Sequence, residues 1–158
     1  LDGFSKSYAM TGWRMGYGIL PEELVPHIVK LAVNSVSCAA PFTQKAAVAA
    51  LEGPRDEVEA MVAEFGIRRR LIAAGLRSIP GVNCPEPEGA FYAFPSIKET
   101  GLTSIEFEIK AMNEAGVALL SGSAFGEYGE GYVRLSYANS QENIQKAISQ
   151  LDKMVRSL

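Results

Sequence analysis

Lys6 and Arg14 stand eight residues apart in Gly3-Phe4-Ser5-Lys6-Ser7-Tyr8-Ala9-Met10-Thr11-Gly12-Trp13-Arg14-Met15-Gly16-Tyr17, a stretch whose other residues are apolar, small or hydroxylic. Lysine is rarely buried without a partner. Where it is buried, loss of solvation lowers its pKa toward the neutral amine, which is nucleophilic. A neutral amine forms a Schiff base with an aldehyde. Arginine offers a planar fork that matches phosphate oxygens. The pair therefore suits a small molecule with an aldehyde at one end and a phosphate at the other. Eight extended residues span roughly 26 Å, so the segment must fold back for both side chains to hold one such molecule. Gly12 and Gly16 are expected to ease that path.

A second candidate is Arg134, in Tyr132-Val133-Arg134-Leu135-Ser136. Alternate residues of a strand share a face, which puts Arg134 with Tyr132 and Ser136. A cation in so apolar a run needs an anion, either a carboxylate of the chain itself or one that arrives from outside. Arg14 has the same two readings, a structural ion pair or an anchor for a bound anion. Ser5 and Gly3 could add a hydroxyl or a backbone N–H to a phosphate.

The remaining titratable groups are less informative. Asp2 sits close to the lysine stretch, and His27 lies on the polar side of the first helix. Cys38 and Cys84 lack metal-ligand spacing and read as reduced thiols of a cytoplasmic protein. No metal site is expected. A net charge of −3 argues against nucleic acid as a partner. No apolar run reaches the ~18 residues of a membrane span. Arg68-Arg69-Arg70, the one basic run, reads as a solvated helix face.

The elements that must position these residues follow from pattern. Met15 to Leu20 reads as a short strand, and Pro21 opens a helix carrying Leu24, Ile28 and Leu31. Asn34 to Pro41 reads as a loop. A second helix runs from Phe42 to Glu52 and stops at Gly53-Pro54. A long third helix presents Val58, Met61, Val62, Phe65 and Ile72 and ends near Ile79. Gly89 to Phe94 reads as a strand. Thr103 and Glu106 form a capping box for a helix with Ile105, Ile109 and Met112 on one face. Val117–Leu120 and 132–136 read as strands. Asn139-Ser140-Gln141-Glu142 caps a last helix with Ile144, Ala147, Ile148, Leu151, Met154 and Val155 along one side. The order predicts an α/β architecture, a sheet covered by helices.

The Gly3–Tyr17 stretch resembles the cofactor-lysine signature of class I/II aminotransferases, the aspartate aminotransferase-like members of the fold-type I pyridoxal-phosphate enzymes. Ser121-Gly122-Ser123-Ala124-Phe125-Gly126 followed by Glu130-Gly131-Tyr132-Val133-Arg134-Leu135-Ser136-Tyr137-Ala138 is similar to that family's C-terminal segment. The resemblance implies pyridoxal 5'-phosphate as cofactor, with Lys6 as the Schiff-base lysine and proton carrier. It implies Arg14, with Ser5, at the cofactor phosphate and Arg134 at the substrate α-carboxylate. Gly3 departs from many relatives, which carry serine three residues before the lysine. The implied activity is transfer of an amino group between an amino acid and a 2-oxo acid, in a cytoplasmic homodimer. A lyase or synthase of the same fold would use the same lysine, and an aminotransferase-like ligand-sensing domain of a transcriptional regulator is a further reading. The family carries most of its large domain ahead of the lysine. Residues 1–41 are therefore expected to be the end of that domain, 42–79 connecting helices that include a long interdomain helix, and 80–158 a small C-terminal α/β domain. The chain is expected to be the C-terminal part of a longer protein, inactive without the missing N-terminal large-domain segment.

Overall fold

Gly3 faces Gly16 across a short antiparallel pair, in which β1 (Asp2–Gly3) meets β2 (Gly16–Tyr17). The stretch that carries Lys6 and Arg14 thus folds back on itself. A Cβ on Gly16 would come 3.0 Å from the Asp2 carbonyl oxygen, so a glycine allows the two backbones to approach. Gly12 plays no such part: a Cβ there meets nothing within 4 Å. The sharp changes of direction fall instead on Ala9 and Arg14, both at φ 53°, a left-handed conformation costly for residues with a Cβ.

The computed structural model describes residues 1–158 and divides into two units, Leu1–Ala60 and Met61–Leu158. In the first, α1 (Phe4–Ser7) follows β1 directly. Pro21 precedes a 3₁₀ turn, Glu22–Leu24, and α2 follows over Val25–Ser35 with Pro26 in its first turn. The helix runs further than expected, because nothing before Ser35 breaks it. Pro41 belongs to α3 (Pro41–Glu52), at the position where its missing N–H costs no hydrogen bond. α3 ends where Gly53 N–H bonds to the Ala49 carbonyl. No residue of α2 is buried, and Leu24, Ile28 and Leu31 are all exposed.

The long helix α4 (Asp56–Arg77) spans the division between the units. Its buried residues, Ile72, Ala73 and Leu76, lie in its last turns, while Val62 is exposed. Unit two closes around a three-stranded antiparallel sheet, order β3-β5-β4, with β3 at Tyr92–Ala93, β4 at Leu120–Ser121 and β5 at Val133–Ser136. The strand expected from Gly89 is shorter because Ala90 sits at φ 57°, which turns the chain. The Tyr137 hydroxyl donates to the Ala90 carbonyl at 2.9 Å and holds that turn.

Val133, Leu135 and Tyr137 face a core completed by the end of α4, by α5 (Ser104–Asn113) and by α6 (Gln141–Arg156). The capping box of α5 forms as its sequence requires. Glu106 N–H donates to Thr103 Oγ1, and Thr103 N–H donates to Glu106 Oε2 at 2.9 Å. The buried face of α5 is not the expected one. Ile105, Ile109 and Met112 are exposed, whereas Ser104, Phe107 and Ala111 are buried. The face expected for α6 is the observed one: Ile144, Leu151, Met154 and Val155 are buried, with Ala147 and Ile148 packed beside them.

Candidate active site

In the first unit, Phe4 fixes the lysine segment. Its ring is buried against Tyr8 (5.4 Å between centroids) and Tyr17 (5.6 Å), and its N–H donates to the Met15 carbonyl at 3.2 Å. With Phe4 held inward, Lys6 falls on the exposed side of α1 and Ser5 is half-buried. The Phe4 and Lys6 carbonyls accept from Tyr8, Met10 and Ala9, which closes the turn after the helix.

A 3₁₀ turn, Thr11–Trp13, then leads to Arg14. Arg14 is exposed, and one of its Nη1 protons goes to the Thr11 carbonyl at 3.1 Å. It takes part in no ion pair with a carboxylate of the chain, so its charge remains available to an anion. Arg14 lines a cleft of about 610 Å³ with Ala9, Gly12 and Trp13 on one side and Cys38–Ala40, Phe42 and Thr43 on the other. Lys6 is not among its lining residues. Asp2 is engaged locally: it accepts from Gly3 N–H at 2.7 Å and from the Tyr17 hydroxyl at 3.4 Å. The Asp2 charge raises the Tyr17 pKa.

In the second unit, the strand alternation read from sequence is present. Tyr132, Arg134 and Ser136 lie on the outer face of β5, while Val133 and Leu135 are buried. The guanidinium carbon of Arg134 lies 4.4 Å from the Tyr92 ring centroid and 4.3 Å from that of Phe125. No carboxylate of this chain pairs with it. A hollow of about 180 Å³ opens beside it, lined also by Tyr92, Leu120 and Ser136. Sequence reasoning missed Phe125 and Tyr92 as neighbours of Arg134, although the first lies in the very Gly-Ser-Ala-Phe-Gly stretch that had been singled out. A larger hollow of about 300 Å³, walled by Gly116–Ala118, Asn139, Asn143 and Lys146 among others, contains none of the candidate residues. No cluster of His, Cys, Asp or Glu has the geometry to hold a metal, and no helix is long and apolar enough to cross a membrane.

The first unit thus presents a lysine and an arginine on a folded-back segment, and the second an arginine on the outer face of a helix-backed antiparallel sheet, within an α/β architecture. The chain belongs to the aminotransferase class I and II family, whose sequence model matches residues 1–151; this is a family of pyridoxal-phosphate-dependent transaminases with fold type I. It is 44% identical over 158 residues to an aspartate aminotransferase of Pyrococcus abyssi, and 42% identical to aromatic-amino-acid aminotransferase 2 of Thermococcus litoralis. Each alignment covers 99% of this chain and 40% of the relative. The crystal structure of an aromatic aminotransferase from Pyrococcus horikoshii superposes with a TM-score of 0.93 at 41% identity, over 98% of this chain and 42% of that one. The chain thus spans about two fifths of the length of the relatives it matches.

Proposed function

We propose that the full-length protein containing this chain is a pyridoxal-phosphate-dependent aminotransferase that moves an amino group between an amino acid and a 2-oxo acid. The observation that carries this reading is the hairpin-closed segment that sets out an exposed lysine and an arginine with no carboxylate partner. The cofactor has an aldehyde, which a lysine amine can take, and a phosphate, which a guanidinium can take. Lys6 is exposed, and the Arg14 guanidinium bonds to the Thr11 carbonyl. When bound, the cofactor supplies a ring that withdraws electrons from the substrate α-carbon.

In this reading Lys6 Nζ would hold the cofactor aldehyde, and as an amine it would carry a proton away from the substrate α-carbon. Arg14 pairs with the phosphate, and Ser5 adds a hydroxyl contact to it. Arg134 takes the substrate α-carboxylate, whose two oxygens match its two parallel N–H groups. Residues 1–41 form the end of the large domain, 42–79 the connecting helices and 80–158 the small domain. The protein works as a cytoplasmic homodimer. Borohydride reduction of the cofactor-loaded full-length protein, followed by peptide mapping, tests the assignment. A pyridoxyl label is expected on Lys6, and its appearance on Lys30 or Lys45 instead would refute it.

A further inference from the structure

Arg134 owes its place to groups far from it in sequence. The sheet order β3-β5-β4 puts β5 in the middle. Tyr92 comes from one flanking strand, where it is the register partner of Ser136. Phe125 comes from the turn that follows the other flanking strand. Two rings therefore reach one guanidinium from the two sides of its strand. Phe94 extends the aromatic surface: it packs edge-on to Phe125 at 6.1 Å and stacks on Tyr132 at 5.5 Å, with 9° between the planes.

Phe125 is half exposed, so its position cannot come from burial. It comes from the backbone that carries it. A Cβ on Gly122 would collide with the Gly129 carbonyl oxygen, and a Cβ on Gly129 with that of Gly122. The two ends of the turn thus cross at a distance only glycines permit. Gly122 N–H donates to the Tyr132 carbonyl at 2.8 Å. Upstream, Ser121 N–H donates to Glu108 Oε2 at 2.7 Å, and the Ser121 and Ser123 hydroxyls are 2.6 Å apart. A half-exposed ring on so constrained a backbone is placed for contact.

We propose that Phe125 and Tyr92 are positioning residues for Arg134. They cover the guanidinium with π surface and leave its N–H groups for a planar carboxylate. Their attraction for the cation replaces the carboxylate partner that an arginine in a strand ordinarily takes. A partner carboxylate would compete with the substrate for the same N–H groups, whereas a ring holds the cation without using them. The proposal rests on the reading of Arg134 as the carboxylate anchor.

Two measurements test it. In the full-length protein, KM and kcat are measured for L-aspartate, L-alanine and L-phenylalanine, each with 2-oxoglutarate. Phe125→Leu is expected to raise KM about tenfold for every amino acid the protein accepts, with kcat changed less. Phe125→Tyr, which keeps the ring, is expected to stay within about threefold of the parent. Phe125→Met, which keeps bulk without a π face, should behave as Phe125→Leu and takes its place if that variant fails to fold. In the full-length protein, ¹⁵N relaxation of the Arg134 Nε–Hε group should report increased motion in the leucine or methionine variant and none in the tyrosine variant. Equal behaviour of the ring-bearing and ringless variants, in KM and in relaxation, overturns the proposal. Arg134→Lys keeps the two ideas apart. If it leaves KM untouched, the carboxylate reading falls, and relaxation alone then decides whether the rings hold Arg134.

Discussion

Ser104→Ala removes one hydroxyl that ties three loop residues to the start of α5. Ser104 is fully buried. Its Oγ accepts from Gly131 N–H at 2.8 Å and from Tyr132 N–H at 3.2 Å, and lies 3.4 Å from the Gly129 carbonyl. These bonds are not equivalent. Tyr132 N–H also reaches the Gly129 carbonyl at 3.1 Å, so it keeps a partner after the substitution. Gly131 N–H has no second acceptor, and its environment is buried. Leaving one buried donor unsatisfied costs about 1–3 kcal/mol, and the better helix propensity of alanine returns only a few tenths. The expected loss is about 2 kcal/mol, near a thirtyfold change in the opening equilibrium. Urea unfolding measures the global part. Hydrogen exchange of the Gly131 amide should accelerate by a similar factor, with little change for amides in the middle of α6. Ser123→Ala is the control: its hydroxyl meets only that of Ser121, and a loss under about 1 kcal/mol is expected. A Ser104→Ala protein within 0.5 kcal/mol of the parent, with unchanged exchange at Gly131, would show that this hydroxyl does not hold the loop.

The other predictions concern single sites. Glu106 has a pKa below the ordinary carboxyl range because the Thr103 backbone N–H, and then its hydroxyl, bond to the charged form. A depressed folded pKa means stability that is present above the unfolded pKa and lost as pH falls through the folded one. The stability gap between the parent and Glu106→Gln should therefore be flat from neutral pH to about 5 and shrink below that; a gap that widens in acid would contradict the capping box. Gly66→Ala meets only the Arg70 guanidinium at 3.7 Å and should stabilise α4 by about 0.5–1 kcal/mol in thermal or urea unfolding. Gly75→Ala drives a methyl into Ile148, with Cγ1 and Cγ2 each at 3.0 Å and Cδ1 closer, and should cost about 1–3 kcal/mol instead. Equal effects at the two glycines would mean that the packing of α4 on α6 is looser than described. In the full-length protein, Arg134→Lys should lower kcat/KM roughly 30- to 1000-fold through loss of the bidentate fork, with cofactor absorbance retained. Arg14→Lys should lower cofactor occupancy first, and the reverse pattern would exchange the two roles.

The features legible in the sequence are those set by short-range chemistry. The capping box at Thr103 and Glu106 follows from side chains that reach only their own first turn. The stop at Gly53 and the alternation that turns Arg134 outward while Val133 and Leu135 turn inward depend on backbone period and little else. The return of the Lys6–Arg14 stretch was expected on the condition that both side chains hold one small molecule, but the residues that make the turn were not legible. Ala9 and Arg14 adopt left-handed φ while Gly12 does not, since surrounding contacts rather than intrinsic freedom select the conformation. The face of α5 was out of reach for a related reason. Ile105, Ile109 and Met112 satisfy helical spacing as well as Phe107 and Ala111 do, so the period admits either stripe. The sheet and the loop tied to Ser104 select the second, leaving the larger aliphatic side chains exposed. The neighbours of Arg134 belong to the same class. Its need for a partner is written in the strand, but Tyr92 and Phe125 become partners only through strand order and the crossing of Gly122 with Gly129. Local sequence dictates which groups need satisfying, because hydration and hydrogen-bonding costs belong to each residue. Which groups satisfy them is decided by non-local packing, since those groups meet only when the whole unit closes.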